Sequence, residues 1–155
     1  STLPVIINKA AYCNLKSGIP SNSQLISNRA GWIINVEEGV EGAPNNLIDG
    51  KTGTDVALNN KGFWFTVDLG EAKVLTGIKT NHWANAYPPR EVEILQSENG
   101  TTWKSLSSLA ITGATQNITF ISPITTRYLK YQIITISTNG RTDVTEFNVY
   151  EPKSE

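Results

Sequence analysis

The sequence predicts an all-β domain, a β-sandwich or jelly roll, and three observations carry that expectation. Ile and Val supply 25 of the 155 residues, so the apolar part is largely β-branched. Such side chains fit a pleated surface and lose rotamer freedom in a helix. Charged residues make up only 17%, below the usual ~25%. In their place stand 17 Thr, 15 Asn and 12 Ser, which suit strands joined by long polar loops. The apolar runs are short and regularly punctuated, with no stretch of helical period and no internal repeat.

Taken in chain order, residues 1–27 read as an N-terminal extension or a linker from a preceding domain. Leu3-Pro4-Val5-Ile6-Ile7 resembles the end of a strand, and Ser17–Ser27 is rich in turn residues. The main domain is expected over 28–151, with 152–155 as a C-terminal tail. Its expected strands are Trp32–Val36, Phe63–Leu69, Val74–Trp83, Glu91–Ser97, Thr115–Ile121, Tyr128–Ile136 and Val144–Tyr150. In Phe63–Leu69 the side chains of Phe63, Phe65, Val67 and Leu69 share one face, while Trp64, Thr66 and Asp68 share the other. Asp49-Gly50, Asn99-Gly100 and Asn139-Gly140 tolerate the positive φ of tight turns. Trp32, Trp64 and Trp103 stand in strand or post-turn contexts and are expected in the core.

Composition also excludes several functions. With 13 Lys+Arg against 14 Asp+Glu and a net charge of −1, no basic run exists to neutralise phosphates, so no nucleic-acid partner is expected. No run approaches the ~20 apolar residues of a membrane span, so no membrane insertion is expected. The single Cys and single His cannot build the usual zinc sites. Cys13 reads as a small apolar side chain. The absence of Met suggests a processed product or an excised piece of a longer chain. A glycosidase would need two carboxylates some 5–10 Å apart. Glu91 with Glu93, and Glu37 with Glu38, are the nearest candidates, but their surroundings read as solvated surface. No nucleophile elbow or Ser/His/Asp order appears. An enzyme is therefore not expected.

Asn46-Leu47-Ile48-Asp49-Gly50-Lys51-Thr52-Gly53-Thr54 resembles the "liDGxxxT" loop of discoidin domains, also called coagulation factor V/VIII type C domains, whose fold bacterial carbohydrate-binding modules share. Further segments follow in the family's order. Phe63–Gly70 resembles its "W-x-x-VDLG" strand, and Pro89–Trp103 its "P-x-x-v-x-v-x-x-S-x-dG-x-x-W" hairpin. Arg127–Tyr131 resembles "aRYvr", and Val144–Tyr150 the closing "i-x-Ei-x-vy". The resemblance implies a galactose-binding-like jelly roll. It implies a non-catalytic module that binds a glycan or polysaccharide beside other domains of a secreted, periplasmic or cell-surface protein, monomeric as an isolated module. A structural or protein-interaction module without sugar binding is the competing expectation.

The resemblance also implies a structural calcium ion in the Asp49–Thr54 loop. The ligands map to the carbonyls of Asn46, Lys51, Thr54 and Thr145 and to the side chains of Asp49, Thr54 and Glu146. Hard cations favour such oxygen donors. The family usually carries Trp shortly after that Thr, whereas this chain continues Asp55-Val56-Ala57.

Sugars are held by flat rings that stack on pyranose C–H faces and by planar polar groups that bond hydroxyls. Asn81–Arg90 gathers the single His, one of four Trp, a Tyr, two Asn and an Arg. The resemblance implies that this loop lies at the ligand-binding end of the sandwich; the candidate ligand residues are His82, Trp83, Asn85, Tyr87 and Arg90, with Arg141 expected near the same end. The loop Thr138–Thr142 lacks the aromatic that relatives often carry, so Trp83 or Tyr87 would supply the stacking platform.

Overall fold

The computed structural model describes residues 14–154; Cys13 and the strand end expected at Leu3–Ile7 lie outside the described residues. The strands are β1 (Leu15–Ser17), β2 (Ser23–Leu25), β3 (Ile33–Val36), β4 (Val56–Asn59), β5 (Trp64–Asn81), β6 (Glu91–Ser97), β7 (Lys104–Ala110), β8 (Thr115–Thr135), β9 (Arg141–Val144) and β10 (Glu146–Pro152). A short 3-10 helix, Pro44–Ile48, precedes β4. No α-helix occurs among the described residues.

Two long strands organise the sandwich. β5 and β8 run antiparallel along their length, with register shifts between Asp68 and Lys73 and between Leu75 and Gly77. Before the shifts, Trp64–Asp68 pairs with Tyr128–Gln132, and β3 and β6–β7 extend that layer. Beyond them, Lys73–Asn81 pairs with Thr115–Thr126, flanked by β10–β2 on one side and β1 on the other. Bulges bend and twist a strand pair, so one pair of strands serves both layers. β4 and β9 form a separate two-stranded ribbon.

The core lies between the layers. Phe65 stacks on Tyr131 with centroids 4.9 Å apart and meets Phe147 edge-on at 5.4 Å, joining β5, β8 and β10. Each such buried ring or aliphatic chain contributes roughly 1.5–3 kcal/mol. The strand alternation read from the sequence holds here, since Phe65, Val67, Val92, Ile94, Ile118, Leu129 and Val149 are all buried.

Four expectations need correction. Leu15–Ser17 and Ser23–Leu25 are not linker: they pair with Phe120–Ile118 and Tyr150–Pro152, and Leu15 and Ile26 are buried. The sandwich therefore begins before residue 28 and reaches Pro152. The two strands expected at Phe63–Leu69 and Val74–Trp83 are one strand, ending at Asn81, and those expected at Thr115–Ile121 and Tyr128–Ile136 are likewise one, ending at Thr135. β4, β7 and β9 were not expected at all; β7 reads Lys-Ser-Leu-Ser-Ser-Leu-Ala, an edge strand whose pairing rests on backbone groups that polar side chains do not advertise. Trp32 is buried as expected, but Trp64 and Trp103 are half-buried. Their rings flank the Lys130 ammonium at 5.1 and 5.8 Å.

Candidate functional site

One segment, Arg141–Glu146, ties together both loops singled out in the sequence. The Thr145 N–H donates to Asn81 O at 2.8 Å, at the end of β5. The Asp143 N–H donates to Tyr87 O at 3.2 Å. The Trp83 N–H donates to Asp143 Oδ1 at 3.1 Å. Three residues further on, Glu146 Oε2 accepts the Gly50 N–H at 2.8 Å. The 82–90 loop and the Asp49–Thr54 loop thus share a support.

His82 is a strut within that support rather than a ligand group. It is buried, with Nδ1 2.5 Å from Asp143 O and Nε2 3.1 Å from the Thr80 hydroxyl. A carbonyl only accepts, so Nδ1 carries the proton and Nε2 accepts from Thr80. Burial drives its pKa down to about 4, against the opposing effect of the Asp143 carbonyl. Both nitrogens are satisfied inside the fold, which leaves His82 nothing to offer a sugar.

Trp83 stands out in the opposite sense. It is 67% exposed, and no other aromatic ring among the described residues is classed as exposed. Its ring centroid lies 5.3 Å from that of Tyr87 with the planes tilted by 34°. The rings are not coplanar: the half-buried Tyr87 buttresses the indole, which presents the open face. Asn85 is exposed, and its Oδ1 accepts the Ala114 N–H at 3.0 Å, leaving the amide NH2 outward. Arg90 is exposed and donates from Nε to Ile136 O at 3.0 Å. This bond anchors the guanidinium by one corner and leaves its Nη groups available.

Arg141 is committed elsewhere. Its Nη1 and Nη2 donate to Glu41 at 3.3 and 3.1 Å, and Nη1 also reaches Asn59 Oδ1 at 3.1 Å. The fork–fork ion pair holds the Glu41 carboxyl below its ordinary range. Arg141 therefore braces the β4–β9 ribbon rather than standing open beside the rings.

Asp143 and Asp55 belong to the site but were not singled out from the sequence. Asp143 is 1% exposed. Burial is the main cause that pushes its carboxyl up to about 6, helped by the facing Asp55 and opposed by the Trp83 N–H and Arg141. The departure from the family at Asp55-Val56-Ala57 was the available signal. An acid stands where the pattern expects an aromatic nearby, and it meets the acid of β9.

In the second loop, Asp49 Oδ1 accepts the Lys51 N–H at 2.9 Å, and Oδ2 accepts the Thr54 hydroxyl. These bonds outweigh burial and hold Asp49 below its usual value. Glu146 pairs with Arg29 at 2.8 Å. Burial nevertheless raises its pKa, and the adjacent Asp49 adds to the rise. Two carboxylates in mutual reach beside a hydroxyl fit a hard cation by donor type. The Thr145 hydroxyl, buried without a partner, lies next in sequence to Glu146. No group of three or more His, Cys, Asp or Glu side chains gathers among the described residues. Carbonyls would therefore supply most ligands. The Asn46 side-chain amide nitrogen donates to Asp55 O at 2.9 Å, which fixes that residue at the edge of the loop.

The F5/8 type C domain family matches residues 27–147. The chain belongs to that family. Among solved structures, this F5/8 type C domain superposes on one from Bacteroides fragilis with a TM-score of 0.73 at 20% identity, covering 87% of this chain and 100% of that one. The family 32 carbohydrate-binding module of Clostridium perfringens NanJ, solved with galactose, gives a TM-score of 0.63 at 22% identity, covering 88% and 99%. A chitosan-binding module of a chitosanase/glucanase from Paenibacillus sp. IK-5 gives 0.66 at 22% identity, covering 79% and 96%. These likenesses establish the galactose-binding-like jelly roll. No curated protein matches the chain. No helix among the described residues is long and apolar enough to cross a membrane.

Proposed function

We infer that this domain is a non-catalytic carbohydrate-binding module that presents Trp83 to a pyranose of a glycan or polysaccharide. It would work tethered to other domains of a secreted, periplasmic or surface protein. The observation that carries this reading is the exposure of Trp83 on a pinned backbone, with Tyr87 behind the ring. An indole left in water forgoes roughly 2–3 kcal/mol of burial, so a ring held outward on a rigid loop suits stacking on sugar C–H faces. Asn85 and Arg90, on the same loop, supply the planar donors. The galactose-bound and chitosan-binding modules that share the fold support a saccharide partner. Single-site binding of this kind is weak, and linkage to neighbouring domains would supply avidity.

A structural calcium ion completes the reading. The carbonyls of Asn46, Lys51, Thr54 and Thr145, with the side chains of Asp49, Thr54 and Glu146, would hold it. The ion would screen the two adjacent carboxylates and fix the loop.

The test of the saccharide reading is a glycan array backed by calorimetry on wild type, Trp83→Ala and Arg90→Ala. Wild type should bind at least one glycan class, Trp83→Ala should lose binding by tenfold or more, and Arg90→Ala should weaken it several-fold. Equal binding by all three proteins would remove the assigned platform. Silence across the whole array would leave a structural or protein-interaction module.

A further inference from the structure

We propose that Asp143 is the positioning residue of the aromatic platform, holding both rings in place while touching no ligand. The inference rests on the saccharide reading for its consequence and on hydrogen-bond geometry for its substance. Residues 82–90 join β5 to β6 outside either layer, and two grips fix the ring-bearing part. On one side Ala114 accepts the His82 N–H at 2.7 Å and donates to Asn85 at 3.0 Å. On the other side, among the described residues, stands Asp143 alone, and each of its three polar groups engages a different residue of the loop. Its carboxylate accepts from the Trp83 N–H, its N–H donates to Tyr87 O, and its carbonyl accepts from His82 Nδ1. The residues before, at and beneath the indole are thus referred to one point in β9.

The side chain makes the contact that another residue could not. The two backbone bonds would survive substitution, but the Trp83 N–H needs an acceptor reaching out from β9. Bonds to carboxylates are roughly twice as strong as neutral ones. Asp55 and Arg141 surround the same carboxyl and restrict its rotamer.

The experiment compares Asp143→Ala and Asp143→Asn with wild type, because Asn keeps an acceptor at the same reach. Three quantities are read: exchange of the Trp83 backbone amide, the near-UV circular dichroism of the Trp83–Tyr87 pair, and affinity for galactose as probe. Asp143→Ala should speed Trp83 exchange about tenfold, flatten the ring-pair signal and weaken galactose binding about tenfold. Amides of β5 such as Phe65 should remain protected. Asp143→Asn should restore all three to within about twofold of wild type, which a merely destabilised fold would not show. Asp143→Ser, too short to reach the Trp83 N–H, repeats the test should the alanine variant not fold. Unchanged Trp83 exchange and ring signal in the Ala or Ser variant would overturn the proposal. Equal galactose affinity in wild type and Asp143→Ala would also overturn it. If wild type itself ignores galactose, the glycan array decides the saccharide reading, and the exchange and dichroism data still decide the role of Asp143.

Discussion

His82 and Asp143 touch each other and titrate with opposite consequences. His82 is held at about 4 against an ordinary 6.5, so the unfolded chain takes up a proton that the folded chain refuses. Its contribution to stability is complete above pH 6.5 and is lost as pH falls towards 4, a swing of about 3 kcal/mol. Asp143 is raised from 3.8 to about 6. The folded chain therefore binds that proton more readily, and its penalty grows as pH rises from about 4 to 6. Between pH 4 and 6 the two effects offset. Chemical denaturation across that range should give a shallow profile for wild type. Asp143→Asn should lose stability steeply on acidification, and His82→Gln should gain it. Coincident profiles for wild type and Asp143→Asn would show that the pairing is misassigned. At this scale the sequence was legible in placing Trp83, Asn85 and Arg90 on one exposed loop; whether they meet a sugar is what titration with saccharides decides. The sequence was not legible where partners decide: nothing in Asn81–Arg90 shows that both nitrogens of His82 are taken, or that Glu41, a hundred residues away, claims Arg141.

Among the elements, the paired β5 and β8 carry the architecture, and their bend depends on Gly77. A Cβ at Gly77 would press on the Ile118 carbonyl oxygen and come within 3.1 Å of Pro20 Cγ. Backbone cannot yield as a flexible side chain can, so Gly77→Ala should cost about 2 kcal/mol or more, read as a lower urea midpoint. An unchanged midpoint would mean that the strand pair relaxes freely at the bulge. The strands legible in the sequence are those with apolar alternation, such as β6 and β10. β1, β2 and β7 are short or polar edges, stabilised by ladder bonds rather than by a buried stripe. The single continuous β5 was hidden because the apolar alternation breaks at Gly70-Glu71-Ala72-Lys73, whereas the chain bulges there and continues into the other layer.

For the molecule as a whole, the Arg141–Glu146 segment links the Asp49–Thr54 loop, the 82–90 loop and the sandwich. The Arg29–Glu146 pair already joins the N-terminal part to that segment, with both side chains largely buried. Removing Arg29 should leave Glu146 beside Asp49 without its partner and cost about 3 kcal/mol. Calcium, if held there, stabilises by mass action: at a hundredfold excess over Kd, about 3 kcal/mol, or a rise of roughly 5–10 °C in Tm. Asp49→Ala should abolish that rise. A Tm indifferent to both calcium and chelator would leave the loop closed by its own hydrogen bonds.

The central claim concerns where a sugar is met. Titration of 15N-labelled protein with galactose and a panel of oligosaccharides, followed by two-dimensional NMR, tests it most directly. The account predicts that the Trp83 indole N–H and the amides of 83–87 and Arg90 shift progressively, that the Trp64–Lys130–Trp103 face stays still, and that Trp83→Ala abolishes the response. Shifts confined to that other face, or no shift with any saccharide, would contradict it.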